Sequence, residues 1–230
     1  MLIKDWISET LITVDADASV GQAIDLLNDN HISMLPVMHE GKLVGSVTVL
    51  NLKPLASSGG LSLGGLAPDL VLKRFKVSDV MSRAPVTVPM DNTVEETAEA
   101  MLNNEVPGVV VVDRNHHPIG VFTAEDTNRV LLSVTGHRRG GIVFGLLADD
   151  RPGSIKELTD ILRTRGGRLA SILTTYERTP KGKRRLHIRV RGLDRTELPE
   201  IREQLGQKAR FLYVVDMREN RREIFEEDNP

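Results

Sequence analysis

Cysteine is absent from the 230 residues, which excludes disulfide bonds, thiolate metal sites and cysteine nucleophiles. Aromatic residues make up only 3% of the chain, which argues against recognition surfaces built from stacked rings. The longest apolar runs, such as residues 142–148, are far shorter than the ~18 residues that a membrane-spanning helix needs. The amino terminus lacks the basic-then-apolar order of a signal peptide. Together these absences predict a soluble cytoplasmic protein.

Charge is distributed unevenly along the sequence. Residues 1–135 contain 9 Lys/Arg and 17 Asp/Glu, a net charge of −8, whereas residues 136–230 contain 21 and 15, a net charge of +6. Two interpretations stay open, because the asymmetry indicates either two differently used halves or ordinary variation between two domain surfaces.

The first half contains an internal repeat. Two segments recur at an offset of 74 residues, and a third recurs at an offset of 75. The matching segments are Asp5–Ser8 with Asp79–Ser82, Ile12–Val14 with Val86–Val88, and Val44–Thr48 with Ile119–Thr123. A register kept over this length indicates a duplicated supersecondary unit whose two copies pack against each other.

Each copy predicts the order strand, helix, strand, strand, helix. The first helix of each copy carries apolar positions spaced i, i+3, i+4 and i+7, and Ser19 and Thr93 precede these helices as N-caps. The predicted strands are Ile12–Val14, Met34–Met38 and Leu43–Val47 in copy one, and Val86–Val88, Val109–Val112 and Ile119–Phe122 in copy two. The second helix is clear only in copy two, at Ala124–Leu132.

The pattern changes after Gly141. Hydrophobic periodicity and turn residues predict a βαββαβ order, the ferredoxin-like arrangement. The predicted elements are Ile142–Ala148, Ile155–Arg165, Leu169–Tyr176, Leu186–Val190, Glu197–Leu205 and Phe211–Val215. The fold class is therefore α+β, with small duplicated units followed by a separate domain.

The residues with the clearest ligand-binding potential lie where the last strand of each copy ends and the following helix begins. Copy two has Thr123 and Asp126 at this point, and copy one has Thr48 and Asn51. Free N–H groups at a helix N-terminus suit a phosphate, and a carboxylate one turn further suits a ribose diol. The same Thr-x-x-Asp spacing is also a capping box that satisfies the helix start without any ligand. Both interpretations stay open for either motif alone.

The repeats resemble a tandem pair of CBS motifs, packed as a Bateman module, because that family ends each motif in Gly-h-h-Thr-x-x-Asp with h apolar. The resemblance implies an adenine-nucleotide site and a regulatory role, with AMP, ADP, ATP, NAD or S-adenosylmethionine as ligand and a homodimer as the assembly. It places the site at Thr123, Asp126, Thr48, Asn51, Val14, Val88, Gly120 and Gly45. Asn51 departs from the pattern, so the first site is expected to hold ribose more weakly.

The C-terminal region resembles an ACT domain, through the loop between its first strand and first helix. The resemblance implies an amino-acid site at Asp150, Gly153 and Ser154, although a well-made turn without a ligand explains the loop equally well. The CBS–CBS–ACT order resembles acetoin-utilisation protein B-like regulatory proteins. The predicted boundaries are 1–56 and 75–135 for the CBS motifs, 57–74 for a flexible linker, 140–217 for the ACT domain and 218–230 for a charged tail.

Two hypotheses about function follow. The first is a ligand-sensing regulator that acts on a protein target, and the second is an interaction scaffold that binds no ligand. An enzyme is not predicted, because no catalytic constellation or metal site is evident.

The basic hairpin around Arg184 and Arg185 is assigned to solvent or an acidic partner rather than to nucleic acid, since aromatic residues do not interleave it. Residues 57–65, rich in Gly and Ser, are predicted to be mobile.

Overall fold

A computed structural model describes residues 1–8, 10–52 and 74–225. The chain divides into two compact units, one spanning Met1–Arg129 and one that begins at Val130. The segment 57–65, for which mobility is predicted, lies outside the described residues. The finer boundaries between motifs, linker and tail stay predictions.

Each copy of the repeat forms a small three-stranded sheet. The first copy contains β1 (Val14–Asp15), α1 (Val20–Asp29), β2 (Met34–His39) and β3 (Lys42–Thr48), after which residues 49–52 are helical. A one-turn helix, α2 (Val77–Val80), precedes the second copy. That copy contains β4 (Thr87–Pro89), α3 (Val94–Asn103), β5 (Gly108–Val112), β6 (Pro118–Thr123) and α4 (Ala124–Val134).

The two sheets have the same topology. In each, the first strand pairs in parallel with the second, and the second pairs antiparallel with the third. The register shifts at equivalent places, after Val37 in copy one and after Val111 in copy two. The shared order, direction and irregularity confirm the predicted duplication.

The first helix of each copy begins at the predicted cap. Gln22 N–H donates to the Ser19 hydroxyl and Ser19 N–H donates to the Gln22 side chain, and Thr93 and Glu96 form the same reciprocal pair. Such capping boxes satisfy donors that a helix start would otherwise leave unpaired. The buried positions of the two helices are Val20, Ala23 and Leu27, and Val94, Thr97 and Met101. The predicted caps and stripes are therefore confirmed.

The segment before copy one packs against copy two. This first leader, residues 1–8, lies against the start of α3, where Val94 N–H donates a hydrogen bond to the Met1 carbonyl at 2.8 Å. It also crosses β6 at Gly120, where an added Cβ would stand 2.8 Å from Cδ1 of Ile7. Glycine at this position is thus required by the close approach of the leader.

The segment before copy two packs reciprocally against copy one. In this second leader, residues 75–82, Ser82 N–H donates to the Ser46 carbonyl at 2.9 Å and Ser46 N–H donates back at 3.0 Å. An added Cβ on Gly45 would stand 2.5 Å from Sδ of Met81 and 2.7 Å from the carbonyl oxygen of Ser82. The exchanged leaders tie the two copies into one unit.

The second unit is a five-stranded antiparallel sheet with two helices. Its strands lie in the order β11-β10-β7-β9-β8. Its elements are β7 (Ile142–Asp149), α5 (Ser154–Thr164), β8 (Arg168–Thr175), β9 (Lys183–Arg191), α6 (Leu198–Gly206), β10 (Arg210–Asp216) and β11 (Arg221–Ile224). The first six follow the predicted βαββαβ order. Their core is built from Phe144, Leu146, Leu158, Leu162, Leu186, Ile188, Ile201 and Leu205.

Strand β11 corrects the sequence analysis, which assigns residues 218–230 to a charged tail. Three of its four residues are charged, so hydrophobic alternation does not reveal it. It pairs antiparallel with β10 at the edge of the sheet, a position that charged side chains commonly occupy. After it, Phe225 packs with its ring centre 5.6 Å from that of Phe211.

Candidate functional site

The Thr-x-x-Asp motif of copy two forms a complete capping box. Thr123 lies at the end of β6, and both its N–H and its hydroxyl donate to Oδ2 of Asp126, at 2.9 and 2.7 Å. Asp126 N–H points back to the Thr123 hydroxyl at 3.4 Å. One oxygen of the carboxylate is therefore used to close the helix start.

Copy one repeats this geometry with an amide. Thr48 N–H and hydroxyl donate to Oδ1 of Asn51 at 2.9 and 2.7 Å, the same distances as in copy two. The cap accordingly needs one oxygen acceptor and no charge. The difference between the motifs lies in the remaining group, which is a second oxygen on Asp126 and an NH₂ on Asn51.

The second oxygen of Asp126 faces only one distant protein donor among the described residues. Oδ1 lies 3.4 Å from Nη1 of Arg129, whose Nη2 binds Glu125 more closely, at 2.6 Å. The Asp126 side chain is 18% exposed. A partly shielded carboxylate oxygen with a weak partner can accept a hydrogen bond from a ligand hydroxyl.

The helix N-terminus offers few unused donors. Thr123 N–H is held by Asp126, and Ala124 N–H donates to the Pro107 carbonyl at 3.0 Å. The nearby cation, Arg129, is already shared between two carboxylates. Among the described residues, this helix start therefore has two N–H groups already bound and no unshared cation, whereas a phosphate site usually offers free amides and a free cation.

The two threonines meet at one cavity between the copies. Thr48 and Thr123, each 8% exposed, line a space of about 80 Å³. The other lining residues are Ser33, Met34, Val49, Leu50 and Pro107. Since ligand pockets commonly measure about 300–1,000 Å³, the cavity has room for a few water molecules and not for a nucleoside.

Sequence comparisons agree with this architecture. A family model described as the CBS domain matches residues 3–53 and 77–133. A CBS domain-containing protein of Dictyostelium discoideum is 32% identical over 135 residues, which are 58% of this chain and 93% of that protein. The chain belongs to the CBS domain-containing proteins.

Two further matches each cover little more than half of this chain. The L-aspartate semialdehyde sulfurtransferase of Methanocaldococcus jannaschii is 29% identical over 130 residues, which are 56% of this chain and 23% of that enzyme. A crystal structure of a CBS domain pair in complex with 5′-methylthioadenosine and S-adenosyl-L-methionine matches with 29% identity and a TM-score of 0.47. That match covers 57% of this chain and 95% of the solved chain.

The remaining residues expected at the CBS site make structural contacts, and their part in ligand binding stays a prediction. The side chains of Val14 and Val88 are 4% exposed and belong to parallel strand pairs with Val37 and Val111. They do not line the cavity between the threonines. Gly45 and Gly120 are likewise explained by the leaders that cross them.

The expected amino-acid loop of the second unit is described in full. Gly153 has φ of +87° and open space where a Cβ would stand, so glycine is needed here for its backbone conformation. Asp150 forms an ion pair with Arg184. The buried hydroxyl of Ser154, the first residue of α5, has no hydrogen-bond partner in the described part of the chain. Sequence reasoning missed the Arg184 pairing, because α5 and β8 lie between the two residues in the chain.

Asp15, Asp17 and His39 form an exposed cluster whose ligand atoms lie within 4.8 Å of one another. Lys76 binds Asp17 at 2.6 Å and holds the pKa of that carboxyl below its usual value. A lysine ammonium therefore already supplies the cation that this cluster would attract.

Among the helices of the described ranges, none combines the length and apolar character needed to cross a membrane.

Proposed function

We propose that this protein is a ligand-sensing regulator whose CBS pair binds the adenosine part of a small metabolite. The observation that carries the proposal is the second carboxylate oxygen of Asp126. Its partner oxygen closes the helix, whereas Oδ1 has only a guanidinium nitrogen at 3.4 Å. A charged acceptor suits the two adjacent hydroxyls of ribose.

The charges around this oxygen favour an adenosyl compound with little negative charge. Arg129 is engaged by Glu125 and Asp126, and the N–H groups of Thr123 and Ala124 donate to Asp126 and to the Pro107 carbonyl. A polyphosphate would meet two carboxylates with no unshared cation on this turn. Among AMP, ADP, ATP, NAD and S-adenosylmethionine, we therefore expect the last, which carries a positive sulfonium, to bind more tightly than ATP.

We propose that the copies move apart when the ligand binds. The cavity lined by Thr48 and Thr123 measures about 80 Å³, several times smaller than a usual ligand pocket. A change in the separation of the copies would give the two states that a regulatory switch needs.

The substitution Asp126→Asn tests the role of the carboxylate without removing the cap. Asn51 makes the same two hydrogen bonds in copy one, so an amide is known to fit this geometry. Hydrogen bonds to charged groups contribute roughly 1.5–3 kcal/mol against about 1 for neutral pairs. We expect about tenfold weaker binding of S-adenosylmethionine by isothermal titration calorimetry.

Two further variants complete this test. Asn51→Asp supplies the missing carboxylate in copy one and should strengthen the weaker site. Glu99→Gln removes one exposed charge from α3 and should leave binding unchanged. Equal binding of S-adenosylmethionine, AMP and ATP by wild-type and folded Asp126→Asn protein would refute the proposed role of Asp126. Absence of binding by the wild type would favour the scaffold hypothesis, which the complete capping boxes also satisfy.

We also propose that the second unit is an ACT domain that binds an amino acid at residues 150–154. Support comes from the βαββαβ order, the open space beside Gly153 and the unpartnered hydroxyl of Ser154. The ion pair with Arg184 fixes the side chain of Asp150, the first residue of this loop. Titration with amino acids, compared between wild type and Ser154→Ala, examines this site.

A homodimer is the assembly we propose, acting on a regulated protein in the cytoplasm. The edge strands β8 and β11 present backbone groups that a second copy can pair with. Light scattering that gives the mass of a monomer at micromolar concentration would contradict this assembly.

A further inference from the structure

A second concavity opens at the end of the C-terminal sheet where β7 begins and β10 ends. It has a volume of about 610 Å³, within the usual range for small-molecule sites. Its lining residues are Ile142, Arg195, Leu198, Pro199, Arg202, Val214, Asp216, Glu219, Arg221 and Glu223. We call it the arginine cleft.

The arginine cleft is distinct from the loop at residues 150–154. Ile142 is the first residue of β7 and lines the cleft, whereas Asp149 is the last residue and leads into the loop. A strand rises about 3.4 Å per residue, so these two ends of β7 lie roughly 24 Å apart. A ligand in one place cannot touch the other.

Apolar side chains form the inner wall of the cleft. Ile142 and Val214 are 3% and 8% exposed and belong to the core of the unit. Leu198 adds a half-buried side chain from the first turn of α6. This wall can receive the apolar body of a small ligand.

Arg195 is held rigidly on one side of the cleft. Its Nε and Nη2 donate to the two oxygens of Asp216 at 2.7 and 2.9 Å, and this bidentate pair holds the pKa of the Asp216 carboxyl below its usual value. Asp216 also accepts from the backbone N–H of Arg218 at 2.9 Å. Oε1 of Glu219 lies 3.6 Å from the same Nε, and Nη1 of Arg195 points to no acceptor among the described residues. The fixed guanidinium therefore keeps donors for an incoming anion.

Arg202 is fixed in a similar way. Its Nη2 donates to Oε2 of Glu223 at 2.6 Å, and its guanidinium carbon lies 5.6 Å from the ring centre of Phe225. Two arginines that are already ordered lose little further side-chain entropy on binding, which raises affinity. The six charged side chains of the lining balance, so the cleft as a whole does not attract multiply charged anions.

We propose that the arginine cleft binds a small monocarboxylate with an apolar body. The carboxylate contacts the unused donors of Arg195 and Arg202, and the body packs on Ile142, Val214 and Leu198. Both an α-amino acid and a simple organic acid have this chemistry. Glu219, whose side chain is 55% exposed, lies where it can accept from an ammonium group if the ligand has one.

Three probes with the same isobutyl group separate the possibilities. They are 4-methylpentanoate, L-leucine and isopentylamine, titrated into the ¹⁵N-labelled full chain while amide shifts are followed by NMR. We expect both carboxylates to shift amides of residues 195–202 and 216–223, and the amine to leave them unchanged. Tighter binding of leucine identifies an amino-acid site, and tighter binding of 4-methylpentanoate identifies an organic-acid site.

The matched variants are Arg202→Gln and Arg163→Gln. Arg202→Gln leaves Glu223 with Arg221 as partner and should weaken carboxylate binding about tenfold. Arg163, on the exposed side of α5, does not line the cleft, so Arg163→Gln should bind as wild type does. The proposal is overturned if neither carboxylate shifts these amides, if the amine binds equally well, or if folded Arg202→Gln binds as tightly as Arg163→Gln. Shifts confined to residues 150–154 would also overturn it and would report only on the ACT proposal.

Discussion

Arg189 provides a sharp test of what holds the C-terminal unit together. Its side chain lies in β9 with 8% of the residue exposed, and no carboxylate of the described residues lies within ion-pair distance of it. Nε donates to the Thr135 carbonyl at 2.8 Å and Nη1 donates to the Gly140 carbonyl at 3.3 Å. Thr135 directly follows α4, so the guanidinium faces the negative end of that helix.

Replacing Arg189 with Met removes these donors while keeping a long apolar side chain. The Thr135 carbonyl retains the hydroxyl of Ser171 at 2.8 Å, but the Gly140 carbonyl loses its donor. Hydrogen bonds to a charged group contribute roughly 1.5–3 kcal/mol, and the recovered desolvation cost of the guanidinium offsets part of this. We expect a net loss of about 2 kcal/mol, or a fall in Tm of about 8 °C or more for a unit of this size.

Differential scanning calorimetry and hydrogen exchange measure this change. Exchange at residues 135–140 should accelerate in Arg189→Met. The control is Arg191→Met on the same strand, where the side chain is exposed and a change within about 0.5 kcal/mol is expected. The reasoning fails if the two variants have the same stability, because the buried guanidinium would then be no better than a hydrocarbon.

Two further predictions address the CBS pair and the sheet. Gly45→Ala should destabilise the first unit more than Gly120→Ala, because the added Cβ at position 45 meets the backbone carbonyl of Ser82, whereas the one at position 120 meets the side chain of Ile7. Urea unfolding followed by Trp6 fluorescence measures the free energy of unfolding of both variants. An equal loss of stability in the two variants would contradict this explanation. Burial and Arg185 lower the pKa of His187, so the unfolded chain binds a proton more readily below pH 6.5 and the stability of the second unit should fall as pH drops through that value. His187→Gln should flatten this dependence in melting curves taken from pH 8 to 5, and an unchanged dependence in this variant would contradict the assignment.

Local sequence signals predicted the elements of this fold well. Ser19 and Thr93 directly precede apolar residues with helical spacing, and both are the N-caps of the observed helices. Edge strand β11 could not be found in this way, because its charged residues have no buried face that imposes alternation. Strand β9 extends over Lys183–Arg191 rather than the predicted Leu186–Val190, because its hydrogen bonding continues beyond the apolar run.

Long-range relations were the part that sequence could not supply. Gly45 and Gly120 fit the family motif, and the sequence did not indicate that the leaders of the opposite copies would be their nearest neighbours. No local pattern indicates which copy a leader will join. The pairing of Asp150 with Arg184 and of Arg189 with Thr135 joins residues 34 to 54 positions apart, and only the folded sheet brings them together.

The two copies separate the structural and the ligand-related parts of one motif. A cap requires a single oxygen acceptor, and both Asn51 and Asp126 provide it at 2.7 Å from a threonine hydroxyl. A carboxylate in this position exceeds what the cap needs, because its second oxygen has no close protein donor in the described chain. Folding alone would therefore accept an amide in both copies. The carboxylate in copy two is the feature that capping does not explain, and we propose that a ribose hydroxyl is a closer donor to Oδ1 than Arg129 at 3.4 Å.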